Sequence, residues 1–365
     1  MQADDGGVGT PELTSPRLQT AARPGWLSRV SEPAGRAGPR RRYPPATRPG
    51  SVPFMTDIVT PAGAEAARSP AAPFGRMLTA MITPFAGNGA VDYEGAGRLA
   101  EYLVDEMRND GLVVSGTPGE SPTTSDAEKE RLLATVIEAV GDRATVVAGV
   151  GTNDTEHSCE LARAAERAGA DGLLVVTPYY SKPPQSGLIA HFSRVADATG
   201  LPNLLYDIPG RTGTPIAVET LVRLAEHPRI VAVKDAKGDL GAGSLVMLAT
   251  GLVYYCGDDV LNLPWLSVGA AGFVSVVGHV AGDRLHDMIG AYRAGRVDEA
   301  RRIHGDLLPL YTGIMTRTQG VIATKAVLSL LGLPGGPVRG PLIDATPAQI
   351  EQLRADLVAG GVKIK

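Results

Sequence analysis

Residues 111–151 read GLVVSGTPGESPTTSDAEKERLLATVIEAVGDRATVVAGVG. The apolar run GLVVSG stops at a glycine and turns through Thr117, Pro118, Gly119 and Glu120. From Asp126 the pattern changes period: Leu132, Leu133, Val136, Ile137 and Val140 share one helical face, and acidic residues crowd the first turn. The helix then gives way to a second apolar run, ATVVAGVG. Neither apolar run alternates with polar residues, so each reads as a strand buried on both faces, the signature of a parallel sheet covered by helices.

The same unit repeats along the chain. Further runs of this kind are LTAMITPF, GLLVVTP, NLLYDIP, IVAVKDA, LVYYCGDD and GFVSVVG, which brings the number of strands to eight. Eight strand–helix units predict a closed (β/α)8 barrel. An open doubly wound sheet is the rival, but no GxGxxG follows the first strand and no GxxxxGK[ST] occurs. After the eighth strand come HVAGDRLHDMIGAYRAG, VDEARRIHGDLLPLYTGIM, TKAVLSLLG and TPAQIEQLRADLVAGG, more helix than a closing unit requires. The expected organisation is a barrel over 75–295 and a C-terminal helical region over 296–365. Residues 1–74 form a Pro/Gly/Arg-rich extension too poor in apolar periodicity to offset its ordering entropy.

Composition narrows the functional classes. The chain has 365 residues, 44% hydrophobic and 20% charged, with a formal net charge of -4, so long-range electrostatics draw it neither to nucleic acid nor to an anionic membrane. The Arg40-Arg41-Arg42 cluster reads as a solvated charge run. No apolar stretch approaches the ~20 residues a spanning helix needs, and no secretory leader is evident. The two cysteines, Cys159 and Cys256, are far apart in sequence and suggest neither a disulfide framework nor a structural zinc site. A cytoplasmic enzyme acting on small molecules is the expectation.

Barrel chemistry sits at the C-terminal ends of the strands. The polar residues there are Thr117, where strand 2 is expected to end, Tyr179 and Tyr180 at the expected end of strand 4, Tyr206 on strand 5 with Arg211 behind it, and Lys234 on strand 6. Lys234 stands out because it lies inside IVAVKDA, a run otherwise expected to be buried on both faces. Desolvation lowers a lysine's pKa from about 10.4 and makes neutral amine available, and a neutral amine is a nucleophile that forms Schiff bases with carbonyl carbon. The competing arrangement is an ion pair with the neighbouring Asp235. An imine on a 2-oxo acid is an electron sink that needs a proton carrier but no metal or organic cofactor. Tyr206, with hydroxyls at Thr117 and Tyr180, supplies candidates, and the planar fork of Arg211 suits a substrate carboxylate.

The motifs GTPGES (116–121), TPYYSKPPQ (177–185), YDIPGRTG (206–213), VKDA (233–236) and CGDD (256–259) resemble those of the dihydrodipicolinate synthases, within the N-acetylneuraminate lyase superfamily of class I aldolases. The resemblance covers the chain from about Leu78 onward. It implies condensation of pyruvate with L-aspartate 4-semialdehyde in lysine and diaminopimelate synthesis. Lys234 would form the imine, Tyr206 would transfer protons, and Thr117 and Tyr180 would complete a relay, with Tyr180 lent across a subunit interface. It further implies that Arg211 holds the semialdehyde carboxylate, that the Val274 carbonyl lies near bound pyruvate, and that the protein is a homodimer or homotetramer. Arg211 separates this reading from a sister aldolase or dehydratase of sugar-derived 2-oxo acids. A catalytically silent paralogue kept as a scaffold is a further alternative.

Two positions depart from the family pattern. The usual loop is GTTGES, whose second threonine offers an N–H and a hydroxyl to the pyruvate carboxylate. Pro118 has neither donor, so pyruvate binding is expected to weaken unless the Gly119 N–H substitutes. Lysine-inhibited relatives bind the effector with an Asn and a Glu four residues later. Here Asn153 matches, His157 stands at the Glu position, and Lys129 occupies a place often held by histidine, so weak lysine inhibition is expected.

Overall fold

The computed structural model describes residues 72–364. The arginine cluster and nearly all of the expected extension lie outside them. Eight strands alternate with helices: β1 (Met77–Ala80), α1 (Tyr93–Glu101), β2 (Gly111–Val114), α2 (Asp126–Val140), β3 (Thr145–Gly149), α3 (Thr155–Ala168), β4 (Gly172–Val176) and α4 (Gln185–Asp197). Then follow β5 (Asn203–Asp207), the short α5 (Pro209–Thr212), α6 (Val218–Leu224), β6 (Ile230–Asp235), α7 (Leu240–Ala249), β7 (Val253–Cys256), α8 (Asn262–Ser267), β8 (Gly272–Ser275) and α9 (Gly278–Arg293). Three more helices complete the chain: α10 (Val297–Thr316), α11 (Gly320–Leu330) and α12 (Pro347–Ala359).

Each strand pairs in parallel with the next and β8 returns to β1, which closes the barrel in sequence order. Closure explains the uninterrupted apolar runs. Alternate side chains point into the barrel, where Leu78, Val113, Val147, Leu174, Leu204 and Val274 form an interior cluster. Their neighbours, such as Leu112, Val146, Leu173, Leu205, Val233 and Phe273, point outward beneath the helices. With both faces buried, no position is left for a polar alternation.

Phe74, assigned by sequence to the extension, is fully buried in the interior cluster, so the barrel's packing begins ahead of β1. On α2, Leu132, Leu133, Val136 and Val140 are buried as the periodicity predicts, while Ile137 is only half-buried at the edge of that face. The helix starts where a capping box fixes it: Ser125 accepts from the Glu128 N–H, and the Glu128 carboxylate accepts from the Ser125 N–H.

Candidate active site

Strand register assembles the site. Tyr206 on β5 pairs with Lys234 on β6, and Lys234 pairs with Tyr255 on β7. Residues in register on neighbouring strands stand about 5 Å apart on the same face. Lys234 Nζ accordingly lies 4.1 Å from the centroid of the Tyr206 ring. Both residues are buried, at 2% and 4% exposure. The competing arrangement for Lys234 does not occur. One residue on, Asp235 projects outward and accepts from the N–H groups of Lys237 (3.1 Å) and Gly238 (2.8 Å).

Burial lowers the Lys234 pKa to about 8. The carboxylate of Asp259 opposes the shift but does not cancel it, and Arg211 adds to it. Cys256, next along the rim, has its own pKa pushed up by burial, so it stays a neutral thiol and puts no charge beside the amine. Gly257 lets the lysine sit this deep. A Cβ at that position would come within 2.8 Å of Lys234 Cε and 2.9 Å of its Cγ.

The Tyr206 hydroxyl is pushed up to about 12 by burial, and a hydrogen bond with the Thr117 side chain pulls part of that back. The phenol therefore stays protonated at neutral pH and can donate. Thr117 itself lies beyond β2, which ends at Val114 because Ser115 adopts a left-handed conformation (φ 58°). Glu120, at the other end of the loop, is also left-handed (φ 52°), and each such non-glycine residue costs roughly 1–2 kcal/mol. The Glu120 N–H donates to the Thr117 carbonyl (3.2 Å), and the Thr83 hydroxyl donates to the Gly119 carbonyl (2.7 Å). Pro118 is buried, and among the described residues the Gly119 N–H finds no acceptor.

A cleft of about 360 Å³ opens onto this loop. Thr117, Tyr206, Tyr179 and Arg211 line it, together with Gln319 and Leu342 from the C-terminal region. Lys234 itself lies behind this wall, against the Tyr206 ring. Arg211, on α5, is exposed and makes no ion pair among the described residues. Tyr180 turns away from this constellation: it is 91% exposed, in a left-handed conformation (φ 71°). Val274 is buried inside the barrel on β8, level with Leu78 of β1. No three His, Cys, Asp or Glu side chains converge as a metal site among the described residues.

Sequence reasoning missed Asp259 of the CGDD motif. Its carboxylate accepts from Asn262 Nδ2 (3.1 Å), from the N–H groups of Val276 (2.9 Å) and Val277 (3.0 Å), and from the Ser275 hydroxyl. It thereby ties the rim of β7 to the end of β8 while placing a fixed negative charge near Lys234. His279 does similar work between β8 and β1. It accepts from the Ile82 N–H at Nε2 (3.1 Å) and approaches the Val276 carbonyl at Nδ1 (2.8 Å), so burial keeps it neutral with a pKa near 4.

A lysine and a tyrosine in register at the mouth of a closed eight-stranded barrel carry the five motifs noted in the sequence. A family model described as the dihydrodipicolinate synthetase family matches residues 73–359. The chain belongs to the dihydrodipicolinate synthetase family. It is 64% identical over 296 residues to 4-hydroxy-tetrahydrodipicolinate synthase 2 of Streptomyces coelicolor, covering 81% of this chain and 98% of that one. Its identity to 4-hydroxy-tetrahydrodipicolinate synthase of Acidothermus cellulolyticus is 67% over 290 residues, 80% of this chain and 94% of the relative. The crystal structure of the synthase from Cyanidioschyzon merolae with lysine bound superposes with a TM-score of 0.77 at 42% identity, covering 80% of this chain and 99% of that chain. Among the described residues no helix of this family member is long and apolar enough to cross a membrane.

Proposed function

We propose that this chain condenses pyruvate with L-aspartate 4-semialdehyde to give 4-hydroxy-tetrahydrodipicolinate. The observation that carries the reading is the buried Lys234 amine held over Tyr206, with no ion-pair partner among the described residues. Its depressed pKa supplies neutral amine near neutral pH. That amine adds to the C2 carbonyl of pyruvate, and the Tyr206 hydroxyl protonates the departing oxygen, which leaves as water. Loss of a proton from C3 gives the enamine, whose carbon attacks the semialdehyde. The semialdehyde's amino group then adds to C2, closes the ring and releases Lys234 as free amine. The chemistry runs on side chains, without an organic cofactor or metal.

Arg211 is an arginine at the cleft without an ion pair among the described residues, and its fork fits the semialdehyde carboxylate. The Gly119 N–H is the donor left to meet the pyruvate carboxylate where Pro118 offers none. The Val274 carbonyl faces the bound pyruvate. Tyr180, exposed on its strained loop, completes the relay of a second copy, which makes the working form a homodimer or a homotetramer. The compartment is the cytoplasm, in keeping with two unpaired buried cysteines.

Borohydride reduction in the presence of pyruvate, followed by peptide mass mapping, tests the reading. A pyruvyl adduct on Lys234 and turnover with semialdehyde are expected. An unmodified Lys234 sinks the imine mechanism, and cleavage of sugar-derived 2-oxo acids without condensation sinks the substrate assignment.

A further inference from the structure

The loop that carries Thr117 is strained at both ends, and something must hold it. Left-handed non-glycine residues persist only where their surroundings over-determine them. For Glu120 those surroundings come from the C-terminal region. The Glu120 side chain is 2% exposed, and Lys325 of α11, itself 3% exposed, places Nζ 2.5 Å from Oε1. That oxygen has no hydrogen bond of good geometry, so its charge is met by the ion pair. The other oxygen, Oε2, accepts from the Arg339 N–H (2.9 Å).

Arg339 also grips the far end of the same loop. Its guanidinium donates to the Thr123 carbonyl (2.8 Å), to the Gly89 carbonyl, and to both oxygens of Glu128, the capping-box acid of α2. Lys325 Nζ donates in addition to the Pro337 carbonyl (2.8 Å), which locks α11 to the segment bearing Arg339. Both cations lie over the Phe85 ring, Lys325 at 4.0 Å and Arg339 at 4.2 Å from its centroid. This approach is possible because Gly336, at φ 65°, lies against the Phe85 carbonyl, where a Cβ would come within 1.7 Å. Gln319, Pro341 and Leu342 from the same region wall the cleft.

We infer that Lys325 and Arg339 are positioning residues that hold the Ser115–Thr124 loop in its reactive shape through Glu120 and Thr123, and so set pyruvate affinity from the C-terminal helices. Neither residue lines the cleft. The loop presents Thr117 and the free Gly119 N–H, both on the pyruvate side of the proposed reaction. Arg211 is carried by α5 and does not depend on the clamp. Loosening the clamp should therefore raise the KM for pyruvate and spare the KM for semialdehyde. A residue that only stabilises the fold would instead lower the active fraction and leave both constants unchanged.

The inference rests on the imine reading, so wild-type trapping on Lys234 is measured first, and its absence counts against that reading alone. Lys325→Met and Arg339→Met are then compared with wild type, with active sites counted by pyruvyl adduct per chain. Each variant is expected to show a pyruvate KM raised about tenfold or more, a semialdehyde KM within about threefold, and faster amide hydrogen exchange in residues 115–124. Because Lys325→Met leaves a buried carboxylate unpaired, it can fail to fold; Arg339→Met, at a partly exposed side chain, then decides. Unchanged exchange in the loop with an unchanged pyruvate KM in folded Arg339→Met overturns the inference, as does an equal rise in both KM values.

Discussion

Lys234 and Lys325 are the two lysines with buried side chains among the described residues, at 2% and 3% exposure. Both lie over an aromatic ring, Tyr206 at 4.1 Å and Phe85 at 4.0 Å, and burial lowers the pKa of both. They differ in their partners. Lys325 has the Glu120 carboxylate at 2.5 Å and the Pro337 carbonyl at 2.8 Å. Among the described residues Lys234 has no ion pair and only the more distant field of Asp259, which is already saturated by four donors. An amine with a carboxylate is held as an ammonium and organises structure. An amine denied one is left ready to lose its proton and attack a carbonyl.

One substitution made at both sites should give opposite results. Lys234→Met is expected to lower turnover on the order of 10⁴-fold or more and to leave the fold as stable as before or more so. The sign follows from linkage. The folded pKa of about 8 lies below the unfolded value, so the unfolded chain binds more protons between pH 8 and the ordinary lysine range, and wild-type stability rises with pH across that window. Below it the buried ammonium costs on the order of 3 kcal/mol, which a methionine does not. Lys325→Met strands Glu120 and should cost about 3–5 kcal/mol. Denaturation of both variants at pH 7 checks this, and the comparison breaks if both shift in the same direction.

The contrast also has a kinetic form. Imine formation requires neutral Lys234, so its rate at low pyruvate should climb about tenfold per pH unit up to roughly pH 8 and then level off. Tyr206, pushed up to about 12, stays protonated throughout and adds no second limb. Rapid-quench borohydride trapping between pH 6 and 10 measures the profile. A rate still climbing beyond pH 9.5 would mean that Lys234 titrates like an ordinary solvated amine and that its isolation is not what activates it.

These two lysines also mark how much the sequence makes legible. The eight strands and the importance of Lys234 are visible because a barrel strand buried on both faces tolerates few polar residues, and IVAVKDA places a lysine inside such a strand. The pairing of Tyr206 with Lys234 follows once both are assigned to neighbouring strands. Lys325 carries no such mark. It sits in a helix whose composition is ordinary, and the clamp to which it belongs joins residues far apart in sequence, as in the 219 positions that separate Glu120 from Arg339. Asp259 was quoted as part of a motif, yet its four donors come from the β7–α8 segment and from the end of β8, which only the closed barrel brings together. β2 ends three residues before Thr117, where the sequence suggests it should, because nothing local announces that Ser115 turns left-handed.

Pro118 sits in the loop that Lys325 secures, and it probes that side of the comparison. On the proposed function the proline removes an N–H and a hydroxyl from the pyruvate side, while among the described residues the Gly119 N–H remains without an acceptor. Pro118→Thr restores both groups, and one hydrogen bond to a carboxylate contributes roughly 1.5–3 kcal/mol. Because Gly119 already offers one donor, the expected gain lies at the low end, about a tenfold lower KM for pyruvate with little change in kcat. Steady-state kinetics at saturating semialdehyde measure it. An unchanged kcat/KM for pyruvate means that the loop, as held by its clamp, has lost nothing to the proline.

A third amine extends the contrast to the outer side of the same loop, with the smallest expected effect. Lys129 Nζ donates to the Thr124 carbonyl (2.5 Å) and stands 3.7 Å from Asp126, whose other oxygen lies 2.9 Å from His157 Nε2. Asp126 is thus shared by two basic side chains and has little charge to spare for a third cation. By the family resemblance His157 stands where lysine-inhibited relatives carry a glutamate, and Lys129 adds a positive charge nearby, so free lysine is expected to gain little there and to be repelled. Inhibition by L-lysine is therefore expected to be absent or to require more than about 1 mM. His157→Glu exchanges a base held by Asp126 for a second carboxylate, and should lower the inhibition constant about tenfold. Wild-type inhibition in the micromolar range would show that charge at Lys129 and His157 does not govern the effector site. A His157→Glu variant as insensitive as wild type would place the cause elsewhere in the pocket.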